Sequence, residues 1–235
     1  MDYRVENKYL ITEDMIAYLE MKFQGFMEKD SHGNNGTYLI RSLYFDDMND
    51  SCMRENEDGY DNRAKYRIRT YDNNVSHIHL EEKSKKNGYT HKEQIAISET
   101  DMRSYMACGD MFRASSSAPE LRDDMPGLQK KLHADIETRL MHPVVIVEYE
   151  RTAYIHKMGN VRITFDRNIG ASDDISSFDR PDAPMRPILP AGIHILEVKY
   201  DELLPDYIKD IIDTGRLQRI SYSKYYSSRE SLMRL

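Results

Sequence analysis

The sequence has no tryptophan, only two cysteines and no long apolar run. Cys52 and Cys108 stand far apart and in no metal-ligand spacing, so a disulfide framework and a structural zinc site are set aside and a reduced, cytoplasmic setting is expected. No basic segment followed by an apolar one opens the chain, which argues against a secretory signal. The longest apolar stretch near a strand, Val144 to Val147, is far short of the ~20 residues that span a bilayer. Any membrane association is therefore expected to come through a partner that this chain does not encode. No GxxxxGK[ST] loop occurs, which excludes a P-loop. An excess of positive charge is missing too. The net charge of -7 argues against general nucleic-acid binding, although a local basic site survives that argument because local fields depend on arrangement.

What is present is enough for a folded domain. Hydrophobic residues are 40% of 235, sufficient for one sizeable core, and a single domain over 1–235 is expected. Tyr3 to Leu10 alternates charged and uncharged residues, a strand signal. Thr12 is placed to cap a helix from Glu13 to Met27 with an apolar stripe of Met15, Ile16, Leu19, Phe23 and Phe26. Thr37 to Phe45 reads as a strand, and the polar stretch Asn49 to Tyr60 has room for a short helix. Asp46-Asp47 reads as the start of that turn. Arg63 to Tyr71, Ser76 to Ser84 and Tyr89 to Ile97 form a meander, turned at Asp72-Asn73-Asn74 and at Asn87-Gly88. Ser98 with Asp101 opens a short helix in the manner of a capping box. A second helical stretch, Leu128 to Leu140, is ended by Pro143. Val144 to Tyr154 and Val161 to Arg167 pair across Met158-Gly159-Asn160. Ile193 to Tyr200 is a strand and Pro205 to Asp213 a short helix. The 170–192 loop is long, and the Ser- and Tyr-rich end is partly helical. About eight strands, mostly joined by short turns, make this an antiparallel α+β fold.

Side chains in a strand alternate faces with period two. That places Arg4, Glu6 and Lys8 on one face of the first strand, and Lys65, Arg67 and Arg69 on one face of the 63–71 strand. Its mate offers Glu81 and Lys83, and the next strand Lys92. Later strands offer Tyr149 and Arg151, then Arg162, Thr164 and Asp166, then Glu197 and Lys199. An open sheet with its charged side in water explains one such strand well. Seven strands together fit equally a sheet curled around charges. Like charges ~4 Å apart cost up to ~4 kcal/mol at an effective dielectric near 20, so crowded cations call for interleaved carboxylates or a multivalent anion. Arg suits planar phosphate contacts and Lys supplies point charge. The carboxylates suit a divalent cation shared with phosphate oxygens, Mn²⁺ or Mg²⁺. The pair His77 and His79 on one strand is read as solvated, and Tyr222, Tyr225 and Tyr226 as packing.

The motifs RVENKY at 4–9, KYRIRTY at 65–71, LEEKSK at 80–85, HKEQ at 91–94, EYERTAY at 148–154, VRITFDRNI at 161–169, ILEVKY at 195–200 and SYSKYYSS at 221–228 follow one another in order. Together they resemble the VTC domain, the polyphosphate polymerase domain of the vacuolar transporter chaperone complex, a branch of the CYTH-like triphosphate tunnel metalloenzymes. The resemblance runs from Tyr3 to about Ser227. It implies a closed tunnel of eight antiparallel strands with flanking helices. It further implies that Arg67, Arg69, Lys83, Arg151 and Arg162 are the catalytic cations, and that Lys8, Lys92, Tyr149, Ser223 and Lys224 bind substrate; strand alternation adds Lys65 and Lys199 to the substrate-binding set. Glu197 is the implied metal ligand, with Mn²⁺ or Mg²⁺ as cofactor. Simple triphosphatases of the superfamily begin with ExExK, whereas here Arg4 replaces the first carboxylate, which favours the polymerase type and leaves the role of Glu6 open. The implied activity is metal-dependent transfer of the terminal phosphoryl group of ATP to inorganic polyphosphate, with ATP and polyphosphate as partners and no nucleic acid. A triphosphate hydrolase and a non-catalytic polyphosphate-binding module are the alternatives. Eukaryotic members often carry a phosphate-sensing SPX domain and transmembrane helices. Neither is seen in this sequence, so a free-standing catalytic domain is expected.

Overall fold

The computed structural model describes residues 4–87, 89–108 and 121–234, apart from the side chains of Asn56 and Glu57. The expected strand start at Tyr3 and the Gly88 half of the Asn87-Gly88 turn lie outside the described residues. The strands are β1 (Val5–Thr12), β2 (Glu28–Lys29), β3 (Thr37–Asp46), β4 (Arg63–Tyr71), β5 (Asn74–Lys86), β6 (Tyr89–Ile97), β7 (His142–His156), β8 (Val161–Ser172), β9 (Arg186–Pro187), β10 (Ile193–Tyr200) and β11 (Arg219–Ile220). The helices are α1 (Glu13–Phe23), α2 (Ser51–Glu57), α3 (Glu99–Ala107), α4 (Gly127–Arg139), α5 (Asp206–Ile212) and α6 (Lys224–Met233). The chain forms two compact units: 1–39, 148–170 and 187–223 make the first, and 40–147, 171–186 and 224–235 the second.

In the first unit β1 pairs antiparallel with β10, and β10 with β8. One face of these strands is apolar: Ile11 from β1, Val161, Ile163 and Phe165 from β8, Leu196 and Val198 from β10. Met15, Ile16, Leu19 and Phe23 of α1 and Ile208 and Ile212 of α5 complete this core. Full burial of such a side chain contributes roughly 1.5–3 kcal/mol, so the apolar stripe of α1 holds the helix against the sheet. The helix stops at Phe23, four residues before the expected end. Gln24 leaves helical geometry and Gly25 takes φ +92°, which an ongoing helix cannot hold, although Met27 still enters the core. Thr12 occupies the N-cap position, but its hydroxyl turns to Asp14 and not to the backbone.

In the second unit β3 pairs with β4, β4 with β5, and β5 with β6, all antiparallel. The expected meander is present, and β4 and β6 run over the anticipated residues. Tyr66, Ile68, Ile78 and Leu80 are buried on one face. On that side Tyr66 donates to Asp135 of α4 at 2.7 Å, and Lys131 of α4 meets Glu82 of β5 at 2.5 Å. Ser98 caps α3 as expected, accepting the Asp101 amide at 3.0 Å. The α4 helix ends differently from expectation. Leu140 adopts the left-handed conformation and stops it, while Pro143 is the second residue of β7. Its fixed φ suits an extended strand start as well as a helix stop.

Hydrogen bonding orders the strands β11-β1-β10-β8-β7-β3-β4-β5-β6, with β2 on β7 and β9 on β8. The antiparallel sheet with flanking helices is as expected. The count and the closure are not. The described residues form eleven strands, because three two-residue strands (β2, β9 and β11) are too short to show a periodicity. Among the described residues this order does not close: β11 pairs with Lys8 and Tyr9 of β1, and β6 at the other end pairs with β5. Closing a sheet requires its edge strands to pair with each other, and a two-residue edge offers little to pair. No helix among the described residues is long and apolar enough to cross a membrane.

Candidate functional site

The polar face of the second unit is built on cross-strand register. Lys65, Lys83 and Lys92 stand directly opposite one another across β4, β5 and β6. In the next rows Tyr44, Arg67, Glu81 and Gln94 align, followed by Ser42, Arg69 and His79. Glu81 is 1% exposed and serves several cations at once. Arg67 reaches it at 2.5 Å, Lys92 at 3.0 Å and Arg69 at 3.9 Å. Burial works to raise the Glu81 carboxyl, yet Arg67, Arg69 and Lys92 together hold it down at about 2. Arg67 also donates to the Tyr44 hydroxyl at 3.1 Å, and Arg69 to Ser42 at 3.3 Å. Burial would raise the Tyr44 phenol, but Arg67 and Arg69 pull it down to about 8, with Lys224 adding to the effect. Lys65 lies over the Tyr225 ring at 4.9 Å and is lowered to about 8, chiefly by burial. Tyr225 packs on Tyr44 with centroids 5.3 Å apart and donates to Asp46, as the packing reading required.

The polar face of the first unit has its own lattice. Lys8 stands opposite Glu197, which stands opposite Thr164. Glu6 stands opposite Lys199, which stands opposite Arg162. Lys8 meets Glu6 at 3.0 Å and Glu197 at 3.9 Å, and Lys199 meets Glu197 at 2.8 Å and Glu6 at 3.4 Å. Lys8 also donates to the Tyr222 carbonyl at 2.9 Å, just ahead of Ser223. Arg151 holds Asp166 with two bonds, 2.6 and 2.8 Å, and lies over the buried Tyr149 ring at 5.3 Å. Burial works to lower the Arg151 guanidinium, but Asp166 raises it well above its ordinary range. Arg162 donates to Asp30 at 2.6 Å and to the Tyr38 hydroxyl at 3.0 Å. Arg4 leaves the row and donates to the Asn160 carbonyl at 2.9 Å.

The anticipated residues thus gather in two groups. Lys65, Arg67, Arg69, Lys83, Lys92 and Lys224 belong to the second unit, and Lys8, Tyr149, Arg151, Arg162, Glu197, Lys199 and Ser223 to the first. Reading the sequence missed four partners. Ser42 and Tyr44 carry a weak signal, the period-two spacing of β3 that ends on Asp46. Tyr38 shares that strand. Asp30 carries none, because it follows a two-residue strand and meets Arg162 only through folding.

Among the described residues no group of three or more His, Cys, Asp or Glu side chains is placed to hold a metal ion. Glu6 and Glu197, which both contact Lys8 and Lys199, are two hard carboxylates in one patch. Mg²⁺ commonly takes one or two protein carboxylates and fills the rest of its shell from phosphate and water. The donor set therefore fits a metal held jointly with a phosphate substrate and does not fit an all-protein cage.

The fold is shared with two solved structures. HpAC1 from Hippeastrum, assigned as an adenylyl cyclase and described as having a dominant triphosphatase activity, superposes with a TM-score of 0.55 at 13% identity, over 98% of this chain and 96% of that one. A protein of Bacillus halodurans assigned as an adenylate cyclase superposes with a TM-score of 0.54 at 10% identity, over 94% of each chain. No curated protein matches the sequence. Residues 3–233 match the VTC domain. The Lys65–Lys83–Lys92 row, the antiparallel fold with flanking helices and a family match over almost the full length agree: this chain belongs to the VTC domain family.

Proposed function

We propose that the protein is a metal-dependent polyphosphate polymerase. The terminal oxygen of an inorganic polyphosphate chain forms a bond to the γ-phosphorus of ATP, the bond from that phosphorus to the β–γ bridging oxygen breaks, and ADP leaves with its electron pair. No protein nucleophile is needed, so the work of the chain is to position anions and to stabilise the charge on the transferring group. Arg67, Arg69 and Lys83 grip phosphates in the second unit, with Lys65, Lys92 and Lys224 beside them. Arg151 and Arg162 do so in the first, with Lys8, Tyr149, Lys199 and Ser223 as further substrate contacts. Glu197, with Glu6 next to it, would hold Mn²⁺ or Mg²⁺, which supplies neutralisation of phosphate charge when bound.

The observation that carries this reading is the Lys65–Lys83–Lys92 row beside Glu81, one buried carboxylate with Arg67, Arg69 and Lys92 within 4 Å. Like charges directly opposite on neighbouring strands destabilise a sheet, so a row of three lysines is supported when a polyanion lies along it. The family match supports a polyphosphate in that role. A second reading, hydrolysis of a triphosphate, is favoured by the activity described for HpAC1, whose fold this chain shares.

Incubation with ATP and Mn²⁺ separates the readings. A polymerase forms long chains on a gel with ADP release, and a hydrolase releases inorganic phosphate without polymer. Arg67→Ala should weaken phosphate binding by roughly tenfold or more, the scale of one lost charge-assisted contact. Glu197→Ala should remove the dependence of turnover on the metal. Retention of that dependence counts against Glu197 as ligand.

A further inference from the structure

In the second unit β4 and β5 have another face, and a hollow opens there. Ala64 of β4 lies directly opposite Ser84 of β5. They share their side of the strands with Tyr66 and Glu82, and alternate with Lys65, Arg67, Glu81 and Lys83. Two small side chains side by side leave room where a pleated sheet usually carries bulk. The resulting cavity is about 350 Å³, within the ~300–1,000 Å³ of small-ligand sites. Its lining includes Arg63, Lys85 and Lys86 from the strands and Lys131 and Arg139 from α4, against two carboxylates, Glu55 and Glu82.

We propose that this cavity is a second phosphate-binding site, taking inorganic phosphate or the end of a short polyphosphate. By strand alternation Ala64, Glu82, Ser84 and Lys86 face away from the Arg67 cluster, whereas Arg63 and Lys85, which also line the cavity, share the alternation of Lys65 and Lys83 and enter it from the strand ends. The carboxylates do not cancel it. Glu82 is engaged by Lys131 at 2.5 Å, and the lining sets five cations, Arg63, Lys85, Lys86, Lys131 and Arg139, against the two carboxylates. Arg139 meets Asp47 at 3.2 Å and Lys85 meets Asp61 at 3.6 Å. A guanidinium carries five donors and an ammonium three, so each keeps donors for an anion. The small floor admits a tetrahedral anion, which a larger pair than Ala64 and Ser84 would exclude. Whether the front face polymerises, hydrolyses or only binds does not alter this site.

The test is calorimetric titration of the full chain with tripolyphosphate. Wild type should show two classes of site, one weakened by Arg67→Ala. Ser84→Glu, which fills the floor with a carboxylate, should weaken the other class at least roughly tenfold and leave the Arg67-dependent class intact. Ser84→Ala should keep both. Lys86→Glu, at an exposed position, gives an independent reading if Ser84→Glu does not fold, and should weaken the same class. A single class abolished by Arg67→Ala, or two classes unmoved by both Ser84→Glu and Lys86→Glu, would overturn the proposal. Because the readout is binding and not turnover, its failure is distinct from failure of the polymerase reading.

Discussion

Glu81 sits almost wholly out of water with Arg67, Arg69 and Lys92 around it. Its folded carboxyl is near 2 against an ordinary value of 4.5. A depressed carboxyl contributes stability that is fully present above about pH 4.5 and lost as pH falls through about 2. The difference corresponds to about 3 kcal/mol. Glu81→Gln should therefore lower the unfolding free energy by about 3 kcal/mol at neutral pH, and the gap to wild type should close as pH approaches 2. Urea unfolding across that range checks it. A gap that stays constant with pH would mean that packing, and not charge, holds Glu81. The alternation of Arg67 and Arg69 was legible in the sequence, but the crowding of three cations on one carboxylate was not. It depends on the register in which β4, β5 and β6 pair.

At the scale of the element, α2 shows how a short helix is held by a strand. Its own N-cap residue, Asp50, is left-handed and makes no side-chain cap bond. Asp46, at the end of β3, takes over. Its carboxylate accepts from the amides of Asp47 and Cys52 at 2.8 Å and of Met53 at 3.1 Å, and it also receives the Tyr225 hydroxyl of α6. Asp47 adds the amides of Asn49 and Ser51, both at 3.0 Å. The Asp46-Asp47 pair was readable as a turn start, and Asp47 does that. The reach of Asp46 into α2 and α6 was not readable, because α6 lies 179 residues away. Asp46→Ala orphans several buried donors and should cost about 3 kcal/mol, with Asp46→Asn costing less. Chemical denaturation followed by circular dichroism measures both. A loss for Asp46→Ala of under about 0.5 kcal/mol, the scale of an ordinary surface change, would contradict the capping role.

For the whole molecule, a net charge of -7 coexists with the Lys65–Lys83–Lys92 row on the polar face of the second unit. Duplex DNA is a stiff rod that samples net surface charge, whereas a short polyphosphate samples a local row. The full chain should bind tripolyphosphate and not duplex DNA at the same ionic strength, and added salt should weaken the former. Competition measured by fluorescence anisotropy decides this, and DNA binding of comparable strength would show that the lysine row is not selective. The eight longer strands were all legible, with β4, β6 and β10 matching at both ends, because a period-two pattern persists over eight or nine residues. Strands of two residues carry no period, so β2, β9 and β11 came only with the fold. By itself the sequence determined which side chains share a face, since alternation is a local property of extended backbone. Tertiary structure alone decided which carboxylate meets which cation, and that Asp30 and Tyr38 hold Arg162. Those outcomes depend on register and on contacts between residues distant in the chain, and no local pattern encodes them.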